Sequence, residues 1–126
     1  MNTYAHIAIN VVNDALKANV NPIDSWNKYA DLAFGAGSAS ASKSCPKGTF
    51  LGLCEEGYIK GIAHGDYTRS KKNKEYAIKA VELIGDNRIL AERPDELWEQ
   101  IINGTKKHNG QMYVVCELYK RGLIID

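Results

Sequence analysis

A short run near the middle of the chain puts a thiol, two glycines and a carboxylate on one helical face. Cys45, Gly48, Gly52 and Glu55 are spaced i, i+3, i+7 and i+10, which is the recurrence of one side of a helix. Glycine inside a helix costs roughly 1 kcal/mol relative to alanine, so two of them four apart ask for a reason. Lacking side chains, they clear a strip along which something else can reach the backbone. Either another helix crosses there closely, or the strip lines a small groove. In the groove reading Cys45 sits at the positive end of the helix with Lys47 beside it and Glu55 at the far end. That setting favours a thiolate or a bound anion.

A catalytic cysteine needs a base. His64 is the best-placed histidine, with Asp66 two residues on as an orienting acid. The pairing follows the logic of papain-like cysteine enzymes. The local sequence Ser44-Cys45-Pro46-Lys47 lacks their signature, however, and they carry the histidine on a sheet that this pattern does not predict. The cysteine enzyme is therefore the weaker alternative. Metal binding has less support still. Cys45 and Cys54 fall on opposite sides of one helix, Cys116 is distant, and no C-x-x-C or H-x-x-x-H pair occurs. No metal and no cofactor are implied. Cys54 and Cys116 lie among apolar residues and read as buried thiols. His6 beside the first helix's apolar stripe, and His108 in a polar turn, read as structural or surface residues.

A second candidate is basic. Arg69, Lys71, Lys72 and Lys74 crowd a loop and the start of a helix. The helix dipole prefers anions at that end, so the basic run points to a negative partner, either phosphate or an acidic protein face. An ordinary solvated surface is the plain alternative. No helix-turn-helix, zinc-finger or RNP signature accompanies the run, which argues against nucleic acid, although a nucleic-acid-associated module using residues 69–74 remains a third reading.

The elements that must position these residues are helices. Tyr4, Ile7, Ala8, Val11, Val12 and Ala15 form one helical stripe, which Asn2 or Thr3 can cap. Pro22 opens a second helix, with Ile23, Trp26, Tyr29, Ala30, Ala33 and Phe34 inward and Gly35 and Gly37 as its stop. Residues 35–44 are small and polar and read as a loop. A third helix opens at Cys45-Pro46 and is expected to run to an exit at Lys60-Gly61-Ile62. Residues 63–73 read as a polar loop. The fourth helix carries Tyr76, Ala77, Ala80, Val81, Leu83 and Ile84. A short turn over 88–91 leads to a fifth helix opened by Pro94 and ended by Asn103-Gly104. A sixth runs from about Gln111 to Lys120 and stops at Gly122. The last apolar residues, 123–125, are a docked tail or one short strand. The expected fold is all-α, a compact bundle of about six helices forming a single domain.

Composition agrees. The chain has 126 residues, 44% of them hydrophobic and 25% charged, with a net charge of +1. One core can form without disulfides or metals. Neither disorder nor a globally basic nucleic-acid binder is indicated. No apolar run approaches the ~18 residues of a membrane helix. Three cysteines and no secretory signal pattern suit a reducing cytoplasm.

The two halves of the chain look alike. Tyr4, Ala8, Asp14, Pro22 and Trp26 recur 72 residues later as Tyr76, Ala80, Asp86, Pro94 and Trp98. With the small-residue loop removed, the third and sixth helices also align, pairing Gly61 with Gly122. An internal repeat of two three-helix units, about 4–62 and 76–124, is expected, with both tryptophans inside.

The run Ser44-Cys45-Pro46-Lys47-Gly48-Thr49-Phe50-Leu51-Gly52-Leu53-Cys54-Glu55-Glu56-Gly57-Tyr58-Ile59-Lys60-Gly61-Ile62 resembles the central block of a family of small bacterial proteins of unknown function. Tyr67-Thr68-Arg69-Ser70-Lys71-Lys72-Asn73-Lys74-Glu75-Tyr76-Ala77 is similar to that family's next block. The resemblance covers roughly the middle third and brings no activity with it. Together these readings describe a cytoplasmic, non-enzymatic helical protein. It would bind a protein or a small anionic ligand through Cys45, Lys47, Gly48, Gly52, Glu55, Arg69, Lys71, Lys72 and Lys74.

Overall fold

The computed structural model describes residues 1–103 and 110–125, and the protein is all-α. The helices are α1 (Thr3–Lys17), α2 (Pro22–Phe34), α3 (Ser44–Glu55), α4 (Lys71–Asp86), α5 (Pro94–Ile102) and α6 (Gln111–Lys120), with a 3₁₀ turn over Arg88–Glu92. Gly104 and His108 lie outside the described residues. Among the described residues no helix is long and apolar enough to cross a membrane.

The helix ends follow from local chemistry. Asn2 Oδ1 accepts from the Tyr4 and Ala5 N–H groups at 2.9 and 3.3 Å. Asn21 does the same for Ile23 and Asp24, with Pro22 at the first helical position. In each case a side-chain oxygen satisfies open donors of the first turn. Asn103 ends α5 in the left-handed conformation.

Two boundaries differ from expectation. α3 ends at Glu55, seven residues short of Ile62. Gly57, at φ +77°, takes the left-handed position past the helix end. There its N–H donates to Cys54 O and the Tyr58 N–H donates to Leu53 O, the paired bonds of a Schellman stop. The apolar spacing of Tyr58, Ile59 and Ile62 imitates a helix but belongs to the segment after it. At the other boundary the loop expected over 63–73 ends earlier: α4 begins at Lys71, so Lys71, Lys72 and Lys74 of the basic run make its first turn and Arg69 lies in the lead-in.

α6 stops by the same device. Gly122, at φ +71°, donates to Tyr119 O, and Leu123 N–H donates to Leu118 O. Beyond the two stops, Ile59 and Ile124 form an antiparallel bridge, closed by Lys60 N–H to Leu123 O and Ile125 N–H to Tyr58 O. The tail is therefore docked as one short bridged segment. Gly57 and Gly122, not Gly61 and Gly122, occupy equivalent caps.

A single cluster of buried apolar residues draws on all six helices. Trp26 stacks on Phe50 with ring centroids 5.3 Å apart, and Trp98 meets Tyr76 edge-on at 4.8 Å. Both indoles are buried. Leu118 of α6 is wholly buried. Ala33, which the apolar spacing placed inward, is exposed. Near that end of the hairpin a cleft of about 500 Å³ opens between Thr3, His6, Ile7 and Asn10 of α1 and Tyr29, Leu32 and Ala33 of α2.

Candidate functional site

The glycine strip of α3 is covered by α4. A Cβ placed on Gly48 would stand 2.8 Å from Ser70 Cβ, and one on Gly52 would stand 2.7 Å from Lys74 Cβ and 2.8 Å from its Cα. Missing side chains at these two positions let the first turns of α4 cross α3 nearly backbone to backbone. The groove reading of the strip is thereby corrected: the occupant is the chain itself.

Glu55, last in the strip, ties this crossing together. Its side chain is only 7% exposed. Oε1 accepts from the Tyr67 and Thr68 N–H groups at 2.9 and 3.1 Å. Oε2 accepts from Lys74 Nζ at 2.7 Å and Lys71 Nζ at 3.1 Å. The Lys74 hydrogen bond, aided by the two backbone donors and Lys71, holds the carboxyl well below the usual carboxylate range against the opposing effect of burial. Lys74 is held correspondingly above the usual lysine value, chiefly by Glu55 and then by Glu56. A carboxylate this buried needs such partners. The negative partner sought by the basic run is therefore partly internal. Lys71 and Lys74 answer Glu55, while Arg69 and Lys72 are exposed and form no ion pair among the described residues.

Cys45 and His64 are not brought together. Cys45 is in the first turn of α3, half-buried. The His64 ring lies against Gly57, past the far end of that helix. At a rise of ~1.5 Å per residue the two levels are more than about 15 Å apart. Asp66 is exposed in the same distal loop. The Cys45–His64–Asp66 arrangement is thus not assembled, because the helix that carries the thiol also separates it from the base.

Cys54 and Cys116 are buried. Desolvation pushes the Cys54 thiol well up and the Cys116 thiol up to about 12. Cys116 Sγ donates to Leu90 O at 3.6 Å. Among the described residues no three His, Cys, Asp or Glu side chains are grouped to hold a metal ion.

What the crossing leaves open is a cavity of about 220 Å³ where the start of α3 meets the lead-in to α4. Ser44, Lys47 and Gly48 come from α3, Thr68, Arg69 and Ser70 from the lead-in, and Ile23, Leu51 and Tyr67 complete the wall. Neither α3 nor α4 has a side-chain cap on its first turn. Among the described residues Lys47 and Arg69 form no ion pair, and no acidic residue lines the cavity. Of the residues singled out in sequence, Lys47, Gly48 and Arg69 meet here. Gly52, Glu55, Lys71 and Lys74 build the adjoining helix contact, Cys45 lies in the same first turn of α3 as Ser44 and Lys47, and Lys72 faces solvent. Ile23, Ser44, Leu51, Tyr67, Thr68 and Ser70 were missed. The only signal for them was the hydroxyl-rich lead-in, which reads equally well as a plain turn.

No curated protein and no solved structure matches the chain. A match to the family of unknown function DUF6979 spans residues 1–125 and so takes in the terminal helices together with the central blocks, and the chain belongs to that family.

Proposed function

We propose that the protein is a non-enzymatic binding protein of the cytoplasm that captures a small anionic ligand in the cavity between α3 and the lead-in to α4. One observation carries this reading: Lys47 and Arg69, from separate chain segments, border one cavity with no acid in its lining among the described residues. Two unneutralised cations over a concave surface raise the local concentration of anions. Three cysteines outside any disulfide suit a reducing compartment.

The alternatives fit less well. A Cys45 enzyme would need a base that His64 does not supply. A nucleic-acid contact through this face would use Lys47, Arg69 and Lys72, because Lys71 and Lys74 are committed to Glu55. Three phosphate contacts give a salt slope no steeper than about −3, weak for a dedicated nucleic-acid protein.

The test is calorimetric titration of the protein with inorganic phosphate and with sulfate at low ionic strength. Binding is expected, with loss in the double variant Lys47→Ala/Arg69→Ala. Equal binding by that variant, or none by the native protein, overturns the proposal.

A further inference from the structure

The two charged side chains of the cavity can only donate, and two of its hydroxyls have a proton left to give. Thr68 Oγ1 already accepts from the Ser70 N–H at 3.1 Å, and Ser70 Oγ already accepts from Asn73 Nδ2 at 2.8 Å. Each hydroxyl keeps its own O–H to donate. The Lys47 ammonium and the Arg69 guanidinium have no acceptor capacity at all. The neighbouring carboxylate, Glu55, has its oxygens taken by Tyr67, Thr68, Lys71 and Lys74. A ligand here meets donors on two chain segments and must bring several acceptors.

From this lining we infer that the ligand is a small phosphate monoester, its phosphoryl group between Lys47 and Arg69 and its organic part against Ile23 and Tyr67. The inference rests on the anion-binding reading above and narrows it. A carboxylate offers two oxygens in one plane. A monoester offers three terminal oxygens in a tetrahedron, which suits donors arriving from both α3 and the lead-in. Its charge of about −1.5 to −2 at neutral pH balances two cations, whereas a diester would leave one unanswered. Tyr67 donates its hydroxyl to Ala63 O at 2.8 Å, so its ring is left as an apolar surface. With Ile23 it forms a wall that a bare inorganic ion does not use. At about 220 Å³ the cavity is below the range of roughly 300–1,000 Å³ typical of drug-sized sites, so a compact ester fits better than a nucleotide.

The probes are phenyl phosphate, inorganic phosphate, methyl phenyl phosphate and benzoate, titrated at matched ionic strength with folding monitored by circular dichroism. Phenyl phosphate is expected to bind about tenfold more tightly than each of the other three, and Lys47→Ala or Arg69→Ala to weaken it by about tenfold or more. Ile23→Ser should weaken phenyl phosphate and leave inorganic phosphate unchanged. Equal affinity for phenyl and inorganic phosphate refutes the organic subsite while the anion reading stands. Benzoate or the diester binding as tightly as phenyl phosphate refutes the monoester assignment, again leaving the anion reading. No binding of any probe to the folded protein ends both.

Discussion

α3 and α6 end by the same backbone device and surround it with opposite electrostatics. Both stop at a left-handed glycine, Gly57 or Gly122, and both deliver an isoleucine to the bridge between Ile59 and Ile124. At the end of α3 a single buried carboxylate gathers two lysines and two backbone donors. At the end of α6 the charges are spread over the surface: Glu117 pairs with Lys120 at 3.2 Å and Arg121 at 3.5 Å, and Lys120 reaches Glu92 at 3.7 Å. Those cations are 37% and 46% exposed. The backbone stop needs neither arrangement. What the buried carboxylate adds is a fixed partner helix: through Glu55 the end of α3 holds the segment that leads into α4, while the α6 network holds only its own last turn and the 3₁₀ turn beside it.

The largest contrast expected is kinetic. Native-state alkylation should label half-buried Cys45 at least about 100-fold faster than Cys54 or Cys116, both of which wait on opening of the structure. Mass-spectrometric mapping reads the order. Cys116 reacting well ahead of Cys54 would mean that the α6 end opens locally while the α3 end does not, which sharpens the comparison. Cys54 reacting as fast as Cys45 would break it.

Next comes the carboxylate itself. Glu55→Ala strands two backbone donors and leaves two lysines unanswered, and should destabilise the protein by about 2–4 kcal/mol in urea titration. Glu55→Gln tests the charge alone. The folded state holds this carboxyl below its unfolded value of about 4.3. Its contribution is therefore whole above that pH and is lost as pH falls toward the depressed folded value. Native protein should lose stability more steeply than Glu55→Gln below about pH 4.3. Parallel acid profiles would show that the pair is not stabilising.

Gly52→Ala should have a smaller effect. The new methyl meets the Lys74 backbone at 2.8 Å, so α4 must move. Overpacking of about 1–3 kcal/mol outweighs a helix-propensity gain of at most about 1 kcal/mol. A rise in stability would mean that α4 does not lie on the strip. The smallest effect belongs to α6: Glu117→Gln removes two exposed pairs and should change stability by less than about 1 kcal/mol. A loss as large as that of Glu55→Ala would erase the distinction between the two ends.

The helices were legible because their start and stop residues act locally. Asn2, Pro22, Pro94 and Gly122 each satisfy or remove a backbone group within a few residues, and the pattern alone shows it. The end of α3 was misread because Tyr58, Ile59 and Ile62 keep a helical spacing while serving the bridge to Ile124, a partner far along the chain. The site was legible only in pieces. A helix with two glycines on one face and a basic first turn both looked locally unsatisfied; the glycines were read as either a helix crossing or a groove, and the basic run was given an outside partner. They satisfy one another across 16 and 19 residues, from Glu55 to Lys71 and Lys74. Spacing within an element says nothing about contacts of that kind. The internal repeat we propose has the same limit: its sequence matches keep one offset from α1 to α4, whereas at the ends of α3 and α6 the shared cap pairs Gly57, not Gly61, with Gly122.

The crossing of α3 and α4 also bears on the order in which the chain assembles. These helices are neighbours in sequence, whereas α1 and α6, which pack on each other as well, come from nearly opposite ends. The entropy lost in closing a loop grows with its length, so the α3–α4 pair is the easier nucleus and the α1–α6 seam closes later. Substitutions at Gly52 or Glu55 should therefore slow refolding, and substitutions in the α1–α6 seam should mainly speed unfolding. The walls of the α3–α4 cavity would then be standing before the bundle around them is complete.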